Sequence, residues 1–212
     1  MTMRFLLSTS VAVICGFAIC CGCDSPPSRV EQVSINTGDV AAKLIETGDK
    51  DKNGKLNAEE LKGVPYVAVM AKSYDKDRDN QVTAEEISER LTAVVFDPRK
   101  AMSPGECIVM RKGSPFGGAI VKLTPAPVLV DSLPSATGKT DGSGIARLKM
   151  GEEHRPANAP HVTGLIRPGL YRVEITHASI PVPPRYNTET TLGAEVSEAS
   201  LSNGPFVIQL DF

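Results

Sequence analysis

Two twelve-residue segments repeat one pattern of oxygen donors 26 positions apart (75 − 49). The first, residues 49–60, reads DKDKNGKLNAEE, and the second, residues 75–86, reads DKDRDNQVTAEE. Side-chain oxygens fall at positions 1, 3, 5, 9 and 12 of both, and position 8 is apolar in both. A chain carrying this pattern twice must fold each segment around its own centre and flank it with elements that bury the apolar positions. Composition constrains far less. The formal net charge is −2, from 23 Lys+Arg and 25 Asp+Glu, without a basic stripe that would point to nucleic acid. Trp is absent and aromatic residues make up 5%, which argues against a large stacking platform for sugars or bases.

The spacing is that of the EF-hand calcium loop. In that loop positions 1, 3, 5 and 12 supply side-chain oxygens, position 7 a backbone carbonyl, and position 9 often acts through water, with a sharp turn at position 6. The first loop accordingly offers Asp49, Asp51, Asn53, the Lys55 carbonyl, Asn57 and the closing Glu60. The second offers Asp75, Asp77, Asp79, the Gln81 carbonyl, Thr83 and Glu86. Gly54 makes the turn in the first loop, and Asn80 replaces it in the second. Asn is among the non-glycine residues that best tolerate a left-handed backbone. Up to two Ca²⁺ ions are expected, because a hard cation seeks six to eight oxygens.

Leu56 and Val82 at position 8 are expected to face each other across a short two-stranded bridge. Val40, Leu44 and Ile45 line one helical face before the first loop, and Ile87, Leu91, Val94 and Val95 line one after the second. Between the loops lie Leu61, Val67 and Met70, with Pro65 suited to the first turn of a new helix. The short interval resembles bacterial EF-hand pairs. The alternative reading is two acidic surface turns.

Residues 1–23 read MTMRFLLSTSVAVICGFAICCGC: one basic residue, an apolar stretch, then small residues. This is the layout of a secretory signal, with an uncleaved anchor as the alternative. Its end resembles a bacterial lipoprotein signal, which implies lipidation of Cys23 after the small Gly22; Cys20 and Cys21 are the other positions the pattern leaves open. The resemblance implies export and a membrane surface reached through a lipid anchor. Residues 24–36, with Pro26-Pro27, read as a tether. The loop pair with its flanks occupies 37–97.

From residue 104 to 212 the pattern changes to short apolar and β-branched runs between Gly, Pro and Asn turns. Strands are expected at 106–111, 118–123, 128–131, 145–150, 169–176, 191–196 and 206–212, the profile of an antiparallel sandwich. The expected class is therefore α+β in separate domains, helical first and β-sandwich second. The runs GSPFGGAIVKLTP, ATGKTDGSGIARL and GLIRPGLYRVEIT resemble the transthyretin-like, or carboxypeptidase-regulatory-like, domain. The tail is also similar to small lipoproteins of planctomycete bacteria. The resemblance implies a Greek-key sandwich and leaves function open. Asp141-Gly142-Ser143-Gly144 reads as a tight turn rather than a third oxygen cluster. Tyr171 reads as a half-buried strand residue, and Cys107 as a buried, inert thiol.

Catalytic signatures are missing: no H-E-x-x-H, G-x-S-x-G or phosphate-cradling loop occurs. One hydrolase of the transthyretin group ends Tyr-Arg-Gly-Ser; this chain ends Gln209-Leu210-Asp211-Phe212, which does not match. The expectation is a non-enzymatic, calcium-binding, surface-tethered protein whose sandwich contacts envelope protein or polysaccharide, with no nucleic-acid partner. Two other classes remain open: a calcium sensor or buffer of the envelope, and a hydrolase with a site near His154 and His161, where Glu152 or Glu153 could join them.

Overall fold

The computed structural model describes residues 33–97, 101–155, 164–197 and 204–212. The expected export segment with Cys23, nearly all of the expected tether (24–36) and His161 lie outside the described residues. Asn36 opens the first helix, α1 (Thr37–Gly48), by accepting the N–H groups of Gly38 and Asp39. This satisfies donors that a helix start leaves unpaired. Val40, Ala41 and Leu44 are buried on one face of α1, and Ile45 packs at its margin.

The first loop leads through strand β1 (Lys55–Leu56) into α2 (Ala58–Leu61). Two single-turn helices follow, α3 (Pro65–Ala68), with Pro65 in its first turn, and α4 (Ala71–Tyr74). The second loop passes through β2 (Val82–Thr83) into α5 (Ala84–Arg90). The chain then widens into a π-turn over Leu91–Val95, where the Phe96 N–H reaches back to the Leu91 carbonyl at 2.8 Å. β1 and β2 pair antiparallel with Leu56 opposite Val82, both buried, as the position-8 pattern requires.

The rest of the chain is mainly antiparallel sheet. Its strands are β3 (Ser103–Pro104), β4 (Glu106–Arg111), β5 (Ser114–Pro115), β6 (Ala119–Pro125), β7 (Ala136–Lys139), β8 (Ile145–Arg147), β9 (Lys149–Met150), β10 (Leu165–Ile166), β11 (Gly169–His177), β12 (Gly193–Val196) and β13 (Phe206–Leu210). One sheet runs β12-β11-β6-β7-β9, and a second runs β13-β4-β5 with β8 also on β4. β3 and β10 form a separate pair. All pairings are antiparallel except β13 with β4. Alternation along β6 buries Ala119, Val121 and Leu123, the period expected of a half-buried strand.

The fold is thus mixed α+β, but its parts are not independent. One hydrophobic core extends from Leu44 and Ile87 to Val121 and Ile175. β12 meets α3 so closely that a Cβ on Gly193 would lie 2.2 Å from the Pro65 carbonyl carbon. Both faces of β12 are therefore covered, which the apolar pattern of 191–196 did not disclose.

Other expectations shift in detail. Residues 128–131 form no strand: Pro127 opens a 3-10 turn, Pro127–Leu129, where its ring fixes φ and supplies no N–H to a ladder. The expected strand at 145–150 is two strands, because the chain passes from β4 to β7 as it crosses Leu148. The sequence predicts no strand at β7, where only Ala136 of A-T-G-K is buried. Gly138 is required there, because a side chain would lie 2.6 Å from the Arg147 carbonyl oxygen. Tyr171 is fully buried rather than half-buried, and its hydroxyl donates to the Arg167 carbonyl at 2.8 Å.

Candidate metal centre

Each loop is wound by its own carboxylates. In the first, Asp49 accepts the Gly54 N–H at 2.7 Å and the Asn53 N–H at 3.2 Å. Asp51 accepts the Asn53 N–H at 3.1 Å, and the Asn53 side-chain oxygen accepts the Lys55 N–H at 2.8 Å. The second loop repeats the set: Asp75 accepts the Asn80 N–H at 3.0 Å and the Asp79 N–H at 3.1 Å. Asp77 also accepts the Asp79 N–H at 3.1 Å, and Asp79 accepts the Gln81 N–H at 2.8 Å.

The turn positions are left-handed in both loops, Gly54 at φ 83° and Asn80 at φ 62°. So are the fourth positions, Lys52 at 61° and Arg78 at 64°, a requirement the side chains alone did not announce. The closing glutamates reach back across each loop. Glu60 accepts the N–H groups of Lys50 at 2.8 Å and Asp51 at 3.2 Å with one oxygen, and that of Asn57 at 3.0 Å with the other. Glu86 accepts from Lys76 at 2.8 Å and from Thr83 at 2.9 Å. The ninth residues serve as helix caps: the Asn57 side chain accepts from Glu59 and Glu60, and Thr83 from Glu86, each within a capping box.

Carboxylate oxygens of Asp49, Asp51 and Glu60 lie within 4.8 Å of one another, as do those of Asp75, Asp77 and Glu86. Among the described residues these are the clusters of this kind. Proximity has electrostatic consequences. Partial desolvation raises the Asp51 carboxyl above its ordinary value and outweighs the Asn53 N–H; repulsion from Glu60 and Asp49 adds to the rise. Desolvation also acts on Asp49, but the N–H groups of Gly54, Asn53 and Lys52 prevail and lower it. The Asn57 N–H leads the groups that lower Glu60. An all-oxygen donor set with concentrated negative charge fits a hard divalent cation.

The loops differ at Asp79. Its second oxygen receives the Lys55 ammonium, reaching over from the first loop, at 2.7 Å. That contact holds Asp79 below its ordinary value and raises Lys55. Asn53, the counterpart in the first loop, carries no charge. The loop pattern assigns Lys55 only its carbonyl; its side chain has a role that the pattern does not encode.

Behind the second loop sits a cluster that sequence reasoning missed. Tyr74, immediately before Asp75, donates from its hydroxyl to Glu195 of β12 at 2.9 Å. Arg90, at the end of α5, donates to both oxygens of the same carboxylate at 2.8 Å. Glu195 sits between Ala194 and Val196 in a short strand, where alternation alone would send it to solvent.

The remaining candidates are placed as follows. Asp141 accepts the N–H groups of Ser143 at 2.8 Å and Ile145 at 3.1 Å, and so builds the turn between β7 and β8. His154 lies 3.5 Å from Glu153 on the exposed 3-10 turn Glu152–His154. His177 accepts the Ser179 and Ile180 N–H groups on Nδ1, which directs its Nε2 proton to the Gly117 carbonyl at 3.2 Å. No helix among the described residues is long and apolar enough to cross a membrane. Comparison with known protein families, curated proteins and solved structures finds no match to the chain.

Proposed function

We propose that the chain is a calcium-binding, envelope-tethered protein in which a paired EF-hand module is braced against a transthyretin-like β-sandwich. The observation that carries the calcium reading is the convergence, in both loops, of two aspartates and a closing glutamate whose oxygens lie within 4.8 Å of one another. Asp49, Asp51, Asn53, the Lys55 carbonyl and Glu60 hold one ion, with Asn57 acting through water. Asp75, Asp77, Asp79, the Gln81 carbonyl and Glu86 hold the other, with Thr83 in the water-bridging place. The cation supplies the charge that offsets mutual repulsion among the carboxylates; the chain supplies loops already wound by backbone hydrogen bonds.

The sandwich reading is supported by two sheets sharing one core and by the Tyr171 hydroxyl bonded four residues upstream, the geometry of a tyrosine corner. Calcium acts in this reading as a clasp. Extracellular modules bind with Kd on the order of 10⁻⁴–10⁻³ M. At tenfold excess over Kd, each ion adds about 1.4 kcal/mol of stability. The sandwich carries a structural or interaction role. In support, a groove of about 610 Å³ opens between α3 and the edges β12 and β13, with Val69 and Val207 exposed at its rim. Export and anchoring through Cys23 complete the reading.

Thermal unfolding in calcium and in chelator tests the clasp: a higher Tm in calcium, abolished in a Glu60→Ala/Glu86→Ala variant, is expected. Equal Tm values in both media would refute it. Replacing Cys23 with Ser should move the protein from the membrane fraction to the soluble fraction; retention at the membrane would refute Cys23 as the anchored position.

A further inference from the structure

The two calcium loops share a template but are closed differently from behind. The residue before the first loop is Gly48, and a Cβ there would lie 2.7 Å from Val64, four residues past the closing Glu60. In the second loop the corresponding residues are Tyr74 and Arg90. They too meet, with the Arg90 guanidinium 5.0 Å above the Tyr74 ring centre. Where Gly48 and Val64 need only apolar contact, Tyr74 and Arg90 bring a hydroxyl and a charge into a buried place.

Both polar groups end on Glu195, whose side chain is fully buried. Tyr74 belongs to α4, which enters the second loop, and Arg90 to α5, which leaves it. Glu195 belongs to β12, the edge strand of the five-stranded sheet. Ser197 donates to the same carboxylate at 3.2 Å. Calcium-sensing hands work by changing the angle between the helices that enter and leave the loop. Here a single carboxylate from a distant part of the chain ties both helices, with a bidentate bond to one of them.

We propose that Glu195 is a positioning residue for the second calcium loop: it fixes the entering and leaving helices in the ion-binding arrangement. The coupling is reciprocal, so an ion in that loop also orders β12. Under this assignment the second hand does not open on binding, and calcium strengthens the junction between the helical region and the sheet. The inference rests on the calcium reading above.

The test titrates the full chain with calcium by calorimetry and follows hydrogen exchange of the β12 amides. Glu195→Gln should weaken one of the two ions by about fivefold and leave the other unchanged, a value at the lower end of couplings between sites. The same loss should appear in a Glu60→Gln background, where only the second loop binds. Tyr74→Phe, which leaves the Arg90–Glu195 pair in place, should produce a smaller loss at the same ion and serves if Glu195→Gln does not fold. In the wild type and in Glu60→Gln, calcium should increase protection of β12; in Glu86→Gln it should not. Two undiminished affinities in Glu195→Gln and Tyr74→Phe, or β12 exchange indifferent to calcium, would overturn the inference alone. A wild-type chain that binds no calcium would overturn the calcium reading, and this inference with it.

Discussion

The first and second loops have the same winding and the same left-handed positions, yet they are braced by different physics. Behind the first, Gly48 lets Leu56 and Val64 close on the end of α1, an apolar contact with no side chain to spare. Behind the second, Tyr74, Arg90 and Glu195 form a buried polar cluster that reaches into the sheet. Apolar closure requires only shape, so the first loop can be completed by nearby residues. A buried ion pair requires partners for every charge, and the second loop takes its partner from a strand more than a hundred residues away. A repeated motif therefore specifies a local turn and its donors, while its rigidity is set by what lies behind it.

Substitutions at the backs of the loops separate these contributions. The largest effect is expected from Gly193→Ala. Its new Cβ would fall 2.2 Å from the Pro65 carbonyl carbon and 2.3 Å from the Tyr66 nitrogen, backbone that cannot step aside. A loss of about 3 kcal/mol in denaturant unfolding is expected, with calcium affinity of the second loop falling more than that of the first because Glu195 lies two residues on. Gly48→Ala is milder, since the clash at 2.7 Å is with side-chain methyls. It should cost about 1 kcal/mol and weaken the first loop alone.

Smaller still is Lys55→Ala. Removing the ammonium from Asp79 keeps the Lys55-position carbonyl and frees a carboxylate oxygen, so the second ion should bind about twofold tighter, in line with the modest weight of exposed pairs. An unchanged second affinity would show that the ammonium does not compete with the ion.

The last prediction concerns a group remote from both loops. Burial, with repulsion from Glu106 added, raises the Cys107 thiol from 9.0 to about 12. Between these values the folded chain retains a proton that the unfolded chain releases, so stability should fall as pH rises from 9.0 toward about 12. A thiol reagent at pH 8 should leave native Cys107 unmodified and label it only on unfolding; rapid native labelling would contradict its burial.

The winding of the loops was legible because an oxygen-donor motif is local: positions 49–60 and 75–86 contain the oxygen donors that converge, their turns and the Leu56–Val82 contact. Strands β6 and β11 were legible because each carries a period of two long enough to stand out, and β4 because residues 107–110 form an unbroken apolar run. What was hidden depends on contacts between distant segments. Nothing in A-T-G-K announces a strand; Gly138 takes that form because Arg147 approaches its backbone. Nothing in G-A-E-V announces that Glu195 is buried, because the face that alternation assigns to solvent is covered by α4 and α5. The 3-10 turn at Pro127 departs from the expected strand for a simpler reason: Val128 and Val130 are β-branched, and the proline that redirects the run precedes it.

Calorimetric titration with calcium, comparing a soluble chain that begins at Ser25 with its Glu60→Ala/Glu86→Ala variant, shows whether the two loops hold ions. Two ions are expected in the wild type, with affinities in the range of extracellular modules, and none in the variant. A wild-type chain that takes up no calcium, or a variant that still takes up two ions, would contradict the calcium reading.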